Sequence, residues 1–324
     1  MKEREPEEDG ETKIQVGRTL AVRVQTPEEG MTVGQFLRRK LGFSRRQVSS
    51  LKFREDGIRV NGEKQRIHVL LKRGDLLELA LETGSAWADK SKVKPCPGQE
   101  KLQILYEDRD LLAVEKPAGV VCHPSHGHYL DTLANQAADY LETRGGSRII
   151  RLAGRLDKDT SGVVLFAKNR EAAAALYRER AARKMKKIYL ALTENCPEPQ
   201  EGIIDAPIAK IPGELMKMQA DAAGKPARTR YRVLWTDGKR GCRRTLVEAV
   251  PEQGRTHQIR VHLALLGCPL EGDALYGNQE GTGARLHAWK LYLTQPFTGQ
   301  ELCIEASYPE WAEREEEKTV FLRR

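Results

Sequence analysis

The sequence predicts an α+β protein in which a small α/β domain precedes a larger domain with a mixed, mainly antiparallel central sheet. β-type segments outnumber helical ones in the larger region, and several are joined by short turns, which favours hairpins over a doubly wound parallel sheet. A polar, proline-containing stretch separates two regions of different pattern. With 324 residues the chain is also long enough for two packed cores.

These patterns place the small domain at 16–85, a linker at 86–100 and the larger domain at 101–312. An acidic tail over 1–15 and a charged tail over 313–324 complete the predicted organisation. The first twelve residues are acidic and polar, whereas a signal peptide needs an apolar segment after a basic start. No apolar run approaches the ~20 residues of a membrane span, so we expect no membrane association.

The small domain begins with a predicted strand over 20–25. Apolar residues at helical spacing then predict a first helix, and these are Val33, Phe36, Leu37 and Leu41. Gly42 ends that helix, and Ser44 is a suitable N-cap for a second helix. Asn61-Gly62 is a strong signal for a tight β-hairpin.

Seven basic residues fall on these two predicted helices: Arg38, Arg39, Lys40, Arg45, Arg46, Lys52 and Arg54. A charge run is usually a solvated helix face, but this one is nearly single-signed and the whole chain carries a net charge of +8. Such a surface suits a phosphate backbone. With its VNG turn and later GD turn, the segment 31–81 resembles the small S-four-like RNA-binding domain. This resemblance implies RNA contacts by Arg38, Arg39, Arg45 and Arg46.

The larger domain starts with two strands around the EDRD turn at 107–110, followed by a helix over 132–141. A run of apolar residues over 162–168 predicts a buried strand, and the alanine-rich segment 170–187 predicts a helix. Three further predicted strands are IYLALT, TRYRVLW and RTLVEAV. The segment HQIRVHLALLG is predicted as a strand that passes into a helix.

The motif DKDTSG at 157–162 has three interpretations. A calcium loop requires glutamate at its twelfth position, where this chain has Lys168, and a strand follows where the exit helix should be. An ordinary turn accounts for Asp159, Thr160 and Gly162. The third interpretation is a carboxylate nucleophile, Asp157, which must remain ionised and therefore needs a cation beside it.

Arg155 and the segment GRTHQIRVHLA at 254–264 supply candidate cations. Arg255 and Arg260 would lie on opposite faces of a strand, so only one of them is expected to face Asp157. The alternative is that the segment is a cationic strand that contacts phosphate or pairs on the surface.

Five ordered motifs decide between these interpretations: GRLDKDTSGVVLFAKN, KKIYLAL, ARTRYRVL, GRTHQIRVHLALLGCPLEGDALYG and LHAWKL. Together they resemble the RluA-type pseudouridine synthases, which modify uridines in rRNA and tRNA. The resemblance spans roughly 101–310 and implies the fold of that family. An S-four-like domain ahead of the catalytic domain is a common arrangement there. One position departs from the family pattern, since Gly154 stands where a histidine usually precedes Arg-Leu-Asp.

The resemblance implies that Asp157 is the nucleophile, that Arg255 pairs with it, and that Tyr189 stacks on the base. It further implies that Arg155 fills the gap left by a flipped nucleotide, and that Leu286 forms an apolar wall. The resemblance places the loop CHPSHGH at 122–128 at the rim of the cleft. We favour substrate contact, by His123, or plain loop structure over a metal site there. Arg260 is a further candidate for RNA contact.

The predicted enzyme is an isomerase that needs no metal and no cofactor. Its expected partner is RNA, with large-subunit rRNA first and tRNA second, and it is expected to act as a monomer. Six cysteines without a CxxC pair fit reduced thiols in the cytoplasm. The alternative is a non-catalytic RNA-binding or ribosome-assembly protein with a degenerate synthase domain.

Overall fold

The chain is described by a computed structural model over residues 18–81, 93–96, 102–145, 150–237, 244–277, 281 and 283–314. It divides into two compact units, Met1–Ser85 and Ala86–Arg324. The predicted N-terminal tail lies outside the described residues, as do most of the linker and all but the first two residues of the C-terminal tail.

Within its described residues, 18–81, the first unit contains a four-stranded antiparallel sheet and two short α-helices. In chain order they are β1 (Arg18–Arg23), α1 (Val33–Arg39), α2 (Arg45–Phe53), β2 (Ile58–Val60), β3 (Glu63–Lys64) and β4 (Leu76–Leu81). Both helices begin with a capping box, in which Thr32 and Ser44 accept hydrogen bonds from backbone N–H groups three residues later. The predicted cap at Ser44 and the hairpin are thus confirmed, the sheet order being β1-β4-β2-β3.

The turn between β2 and β3 contains the Asn-Gly pair that predicted a tight hairpin. Asn61 and Gly62 both have positive φ, 53° and 84°, as a type I′ turn requires. The Asn61 side chain donates to Asp75 at 2.9 Å and accepts the Leu76 N–H at 2.8 Å. The VNG and GD turns therefore hold each other in register.

The described part of the second unit contains a ten-stranded sheet, a two-stranded sheet and three α-helices. Its strands are β5 (Gln103–Glu107), β6 (Leu111–Lys116), β7 (Arg151–Leu152), β8 (Ser161–Ala167), β9 (Lys186–Thr193), β10 (Glu201–Asp205), β11 (Ile208–Lys210), β12 (Met218–Ala220), β13 (Arg228–Asp237), β14 (Arg244–Pro251), β15 (Leu286–Thr294) and β16 (Glu301–Glu305). Its helices are α3 (Leu133–Glu142), α4 (Arg170–Ala181) and α5 (Gln258–Leu265).

The large sheet runs β10-β13-β14-β9-β15-β8-β6-β5, with β16 beside β15 and β7 beside β8. All of its described pairings are antiparallel except the one between β8 and β15. This confirms a mixed, mainly antiparallel sheet. The parallel seam is short, with Ser161 opposite His287 and Gly162 opposite Ala288.

Gly162 is required at this seam. Its φ is +104°, and a Cβ there would lie 2.2 Å from the carbonyl oxygen of Ala288. Only glycine combines that conformation with so close an approach of two backbones. The TSG end of the predicted turn is therefore also the point where β8 meets β15.

At β6 and β8 each face of the sheet packs against a hydrophobic core. This explains why the sequences of these strands are continuous apolar runs. Leu112 and Val164 face the core that includes α3, whereas Leu165 faces the core that includes α4. None of the helices within the described ranges is long and apolar enough to cross a membrane.

Two predicted elements differ from the structure. The helix predicted over 170–187 ends at Ala181, because Arg183 adopts a left-handed conformation with φ 58° and turns the chain into β9. The segment predicted to start as a strand at His257 is helical from Gln258. His257 itself has φ 54° and ψ 23°, so it redirects the backbone immediately before α5.

Candidate active site

An open cleft in the second unit has a volume of about 510 Å³, part of which is open to solvent. It is lined by parts of the segments 155–160 and 251–260, together with Tyr189 and Leu286. The first segment precedes β8 and the second leads from β14 into α5. Tyr189 and Leu286 lie on the adjacent strands β9 and β15. The cleft thus lies beside the parallel seam, where segments distant in sequence converge.

Asp157 starts a tight turn in which the Thr160 N–H donates to the Asp157 carbonyl at 3.2 Å. Its carboxylate is 26% exposed and opens into the cleft. Lys116, fully buried, braces this turn by donating to the Lys158 carbonyl at 2.7 Å and to the carbonyls of Pro117 and Val120. Burial lowers the pKa of Lys116 to about 8.

Tyr189 forms the floor of the cleft and is 9% exposed. Its cross-strand neighbours are Ala249 on β14 and Ala288 on β15. Both cross-strand neighbours are therefore small, although Tyr189 as a whole belongs to the buried core of the unit. Burial raises the pKa of Tyr189, and the charge of Asp157 adds to this, so the ring remains a neutral phenol.

His257 is the residue that brings a second titratable group to Asp157, with Nε2 lying 4.0 Å from the carboxylate Oδ2. Burial lowers the pKa of His257, while Asp157 acts in the opposite direction. Its Nδ1 lies 2.9 Å from the Tyr276 hydroxyl, which itself accepts the Met218 N–H. A neutral ring that accepts from Tyr276 would direct an Nε2–H toward the carboxylate.

Arg260 supplies a fixed positive charge behind His257. Its Nε and Nη2 donate to the two carboxylate oxygens of Asp273 at 2.7 and 2.6 Å, and both side chains are buried. Burial opposes the charge, but the hydrogen bonds and charge of Asp273 raise the pKa of Arg260. Asp157 contributes to the same rise, so its carboxylate lies within the field of this guanidinium.

The arrangement is a half-buried carboxylate facing an aromatic floor, backed by a neutral histidine and a permanently charged arginine. The family described as RNA pseudouridylate synthase matches residues 110–265, the part of the chain that carries most of this cleft. The uncharacterized RNA pseudouridine synthase YhcT of Bacillus subtilis is 34% identical over 297 residues, which cover 91% of this chain and 95% of that protein.

The chain belongs to the RNA pseudouridine synthase family.

Two further relatives support the RluA type of this family. The ribosomal large subunit pseudouridine synthase D of Nitrosomonas europaea is 40% identical over 220 residues, covering 64% of this chain and 62% of that protein. The solved structure of human RNA pseudouridylate synthase domain containing 1 matches with a TM-score of 0.55 and 28% identity, covering 70% of this chain and 97% of that one. The synthase is therefore an isomerase that acts on RNA.

Several predicted site residues of the synthase come together in the cleft. Asp157, Tyr189 and Leu286 line it, and Arg155 lies at its mouth, where Nη2 donates to the Thr256 hydroxyl at 3.4 Å. The DKDTSG turn does not resemble a calcium loop. Lys168, at the position where such a loop has its glutamate ligand, lies beyond the C-terminal end of β8 and donates to Glu107 at 2.7 Å.

Arg255 and Arg260 lie differently from the expectation based on a strand. Since α5 begins at Gln258, the two arginines are not held on opposite faces of one strand, and both line the cleft. Arg255 donates from Nε to the Pro226 carbonyl at 3.0 Å, and the structure shows no ion pair between it and Asp157 within the described residues. The arginine whose charge reaches Asp157 from the interior is Arg260.

His123 and the four predicted docking arginines are not among the residues that line the cleft. His123 is exposed, with Nδ1 3.3 Å from the Pro124 carbonyl, although its neighbour Cys122 contacts the backbone of Leu156. The docking arginines lie in the first unit and are all exposed: Arg38, Arg39, Arg45 and Arg46. Two other cations of that run pair with acids, Lys40 with Glu28 and Arg54 with Asp56.

The sequence interpretation gave no role to His257, Asp273 and Lys116. His257 lies in a segment whose arginines were the candidate cations, and no residue pattern predicts its left-handed backbone conformation. Asp273 could have been sought as the carboxylate that a buried arginine requires. Lys116 carried no signal beyond the KPAG turn that follows it in the sequence.

Proposed function

We propose that this synthase isomerises uridine in structured RNA with Asp157 as its nucleophile, and that the RNA is large-subunit rRNA, with tRNA as the alternative. The observation that supports this most directly is the placement of the Asp157 carboxylate between the Tyr189 floor and the His257–Arg260 side of the cleft. Isomerisation breaks a carbon–nitrogen glycosidic bond and forms a carbon–carbon bond, with no net gain or loss of atoms.

Asp157 is suited to covalent chemistry because a cation and a candidate hydrogen-bond donor lie beside its carboxylate. Arg260 cannot lose its proton under ordinary conditions, and Asp273 fixes its position. An Nε2–H of His257 would reinforce this from 4.0 Å. The carboxylate is therefore accessible from the cleft and lies beside a fixed positive charge, an arrangement suited to a nucleophile.

Tyr189 is proposed to stack on the base. Stacking restrains tilt but tolerates rotation in the plane of the ring, and the detached uracil must turn before carbon 5 can reach the sugar. The raised pKa of Tyr189 keeps the phenol protonated, which favours a platform over a phenolate base. Leu286, buried beside it, would form the apolar wall of the same pocket.

Arg155 and Arg255 are proposed to act on the RNA around the flipped nucleotide. Each has a neutral oxygen as its described partner, the Thr256 hydroxyl and the Pro226 carbonyl, so its charge remains available to RNA. Flipping a paired or stacked uridine costs a few kcal/mol, which such contacts would help to offset.

The choice of large-subunit rRNA follows the relatives whose names specify that substrate. The exposed docking arginines of the first unit suit the backbone of a structured RNA, which small basic modules recognise by shape. We further propose His123 as a contact at the rim, a monomeric enzyme, and activity in the cytoplasm.

The test is tritium release from RNA labelled at carbon 5 of uridine, with unmodified transcripts of large-subunit rRNA and of tRNA. Wild type and Asp159→Asn, a change in the same turn but outside the cleft lining, are expected to release tritium. Asp157→Asn is expected to release at least about 10³-fold less, because the amide cannot replace the nucleophile. Equal release by both variants would refute the role of Asp157.

Absence of release by wild type on both RNAs, with RNA binding intact, would instead support a non-catalytic RNA-binding protein.

A further inference from the structure

Arg180, near the end of α4, lies against two glycines that each precede an arginine of the cleft. A Cβ at Gly154 would lie 3.4 Å from Nη1 of Arg180, and a Cβ at Gly254 would lie 2.9 Å from its Nη2. Nη1 also lies 3.4 Å from the Ala153 carbonyl, to which it donates. The guanidinium therefore rests on the backbone of both GR motifs, GRLD and GRTH.

Arg180 is not itself part of the cleft lining, but it contacts the two segments that bring Arg155 and Arg255 into that lining. Arg155 and Arg255 immediately follow the two glycines. Within the described part of the chain, the hydrogen-bond partners of the three guanidiniums are a hydroxyl and two carbonyls, and no carboxylate pairs with any of them. Like charges held together without a counterion attract an anion from outside.

The charge of Arg180 also acts on Tyr189, the proposed platform for the base. Tyr189 is buried, and burial raises its pKa, but the charge of Arg180 acts against that rise. An anion bound by this guanidinium would consequently lie close to the base that stacks on the tyrosine. In an RNA strand the nearest anions to a base are the phosphates on either side of its own nucleotide.

We propose that Arg180 is a substrate-binding residue that holds a phosphate of the RNA strand beside the target uridine, and that Gly154 and Gly254 provide the space for its guanidinium. The inference rests on the proposed function, since it takes RNA as the ligand of the cleft. It also gives a physical reason for the glycine that replaces the usual histidine at 154, because a larger side chain there would compete with Arg180 for the same volume.

The first experiment measures binding in the Asp157→Asn background, where the RNA is not consumed. Fluorescence anisotropy with an unmodified large-subunit rRNA transcript is recorded over a KCl series. Arg180→Ala is expected to weaken binding about tenfold at low salt and to reduce the slope of log K against log[KCl] by about 0.7–0.9, as for one lost phosphate contact. Arg180→Lys should keep the slope and only part of the affinity.

The matched control is Arg170→Ala, which removes the same charge from the exposed first residue of the same helix. Ten residues of helix separate the two positions by about 15 Å. Arg170→Ala is expected to leave the salt slope unchanged. A general effect of net charge would lower both slopes equally, whereas a specific phosphate contact lowers only that of Arg180→Ala.

The second experiment measures tritium release by the enzyme with Asp157 intact. Arg180→Ala is expected to raise KM about tenfold with kcat nearly unchanged, as for a contact made equally in the ground and transition states. Gly154→His is expected to displace the guanidinium and to reproduce this loss. The double variant should then be no worse than either single variant, because both remove one interaction.

Equal salt slopes and KM values for Arg180→Ala and Arg170→Ala would overturn the proposal for Arg180 and leave the isomerase standing. Additive losses in the double variant would overturn the role assigned to Gly154. Wild type that binds RNA with an Arg180-dependent slope but releases no tritium would refute the proposed isomerisation and retain the phosphate contact.

Discussion

The buried pair between Arg260 and Asp273 gives the sharpest prediction for stability. Asp273 is 1% exposed as a residue and receives both donors of the guanidinium at 2.6–2.7 Å. Asp273→Asn preserves the size of the side chain but leaves Arg260 as a buried charge without its counterion. Breaking a buried pair in this way costs about 3–5 kcal/mol, so the free energy of unfolding of the second unit should fall by that amount.

The matched control is Asp205→Asn, which removes the carboxylate of an exposed ion pair with Arg228. Asp205 lies 3.8 Å from Arg228, and its side chain is 71% exposed, so its loss should cost at most about 1 kcal/mol. Urea unfolding followed by tryptophan fluorescence suits both variants, since Trp235, Trp289 and Trp311 share one cluster of the second unit. Equal shifts of the two midpoints, or a loss below about 1 kcal/mol for Asp273→Asn, would refute this reasoning.

Three other perturbations test the supports of the cleft. Gly162→Ala should lower the free energy of unfolding by about 2–5 kcal/mol through strain and overlap with Ala288, and tritium release should fall as well. The control Gly213→Ala, at a φ of +82° with open space around it, should lower that free energy by only about 1–2 kcal/mol. Similar losses in the two variants would show that the close approach of the backbones does not matter. Lys116→Met should lower the free energy of unfolding by about 2 kcal/mol, because three partly buried carbonyls lose the charged donor that they share. An unchanged urea midpoint would contradict this. Burial lowers the pKa of His262, so between that value and 6.5 the unfolded chain binds the proton that the folded chain does not. Stability should therefore fall as pH drops below about 6.5, by up to about 1.4 kcal/mol per pH unit for this histidine, and His262→Gln should reduce the slope measured by urea unfolding at pH 7.5 and 5.5; an identical slope in both proteins would contradict the assignment.

The sequence predicted the elements whose signals are local. The capping residue Ser44, the Asn61-Gly62 turn and the apolar run of β8 each act within a few residues of chain, so spacing alone reveals them. Mixed sheet topology also followed from the number and spacing of strands. The family and its activity were predicted because several motifs occur in a fixed order, which no single motif could establish.

What the sequence missed depends on backbone conformation and on contacts between distant segments. Nothing local marks His257 as left-handed, and this one residue turns a predicted strand into the start of α5. Because this segment was predicted as a strand, only one of Arg255 and Arg260 was expected to face Asp157. The pairing of Arg260 with Asp273 and the seat of Arg180 on two glycines arise only when separate loops meet.

The seam between β8 and β15 also decides when in its own synthesis the chain can become an enzyme. Ser161 meets His287 across 126 residues, a contact of long sequence separation that forms slowly compared with local structure. At about 5–20 residues per second, a ribosome needs roughly 6–25 s to supply those residues after Ser161 has been joined. Until then β8 has β6 on one side but lacks β15 on the other, and the cleft lacks its Leu286 wall, so a nascent chain can present its first unit but not a complete cleft.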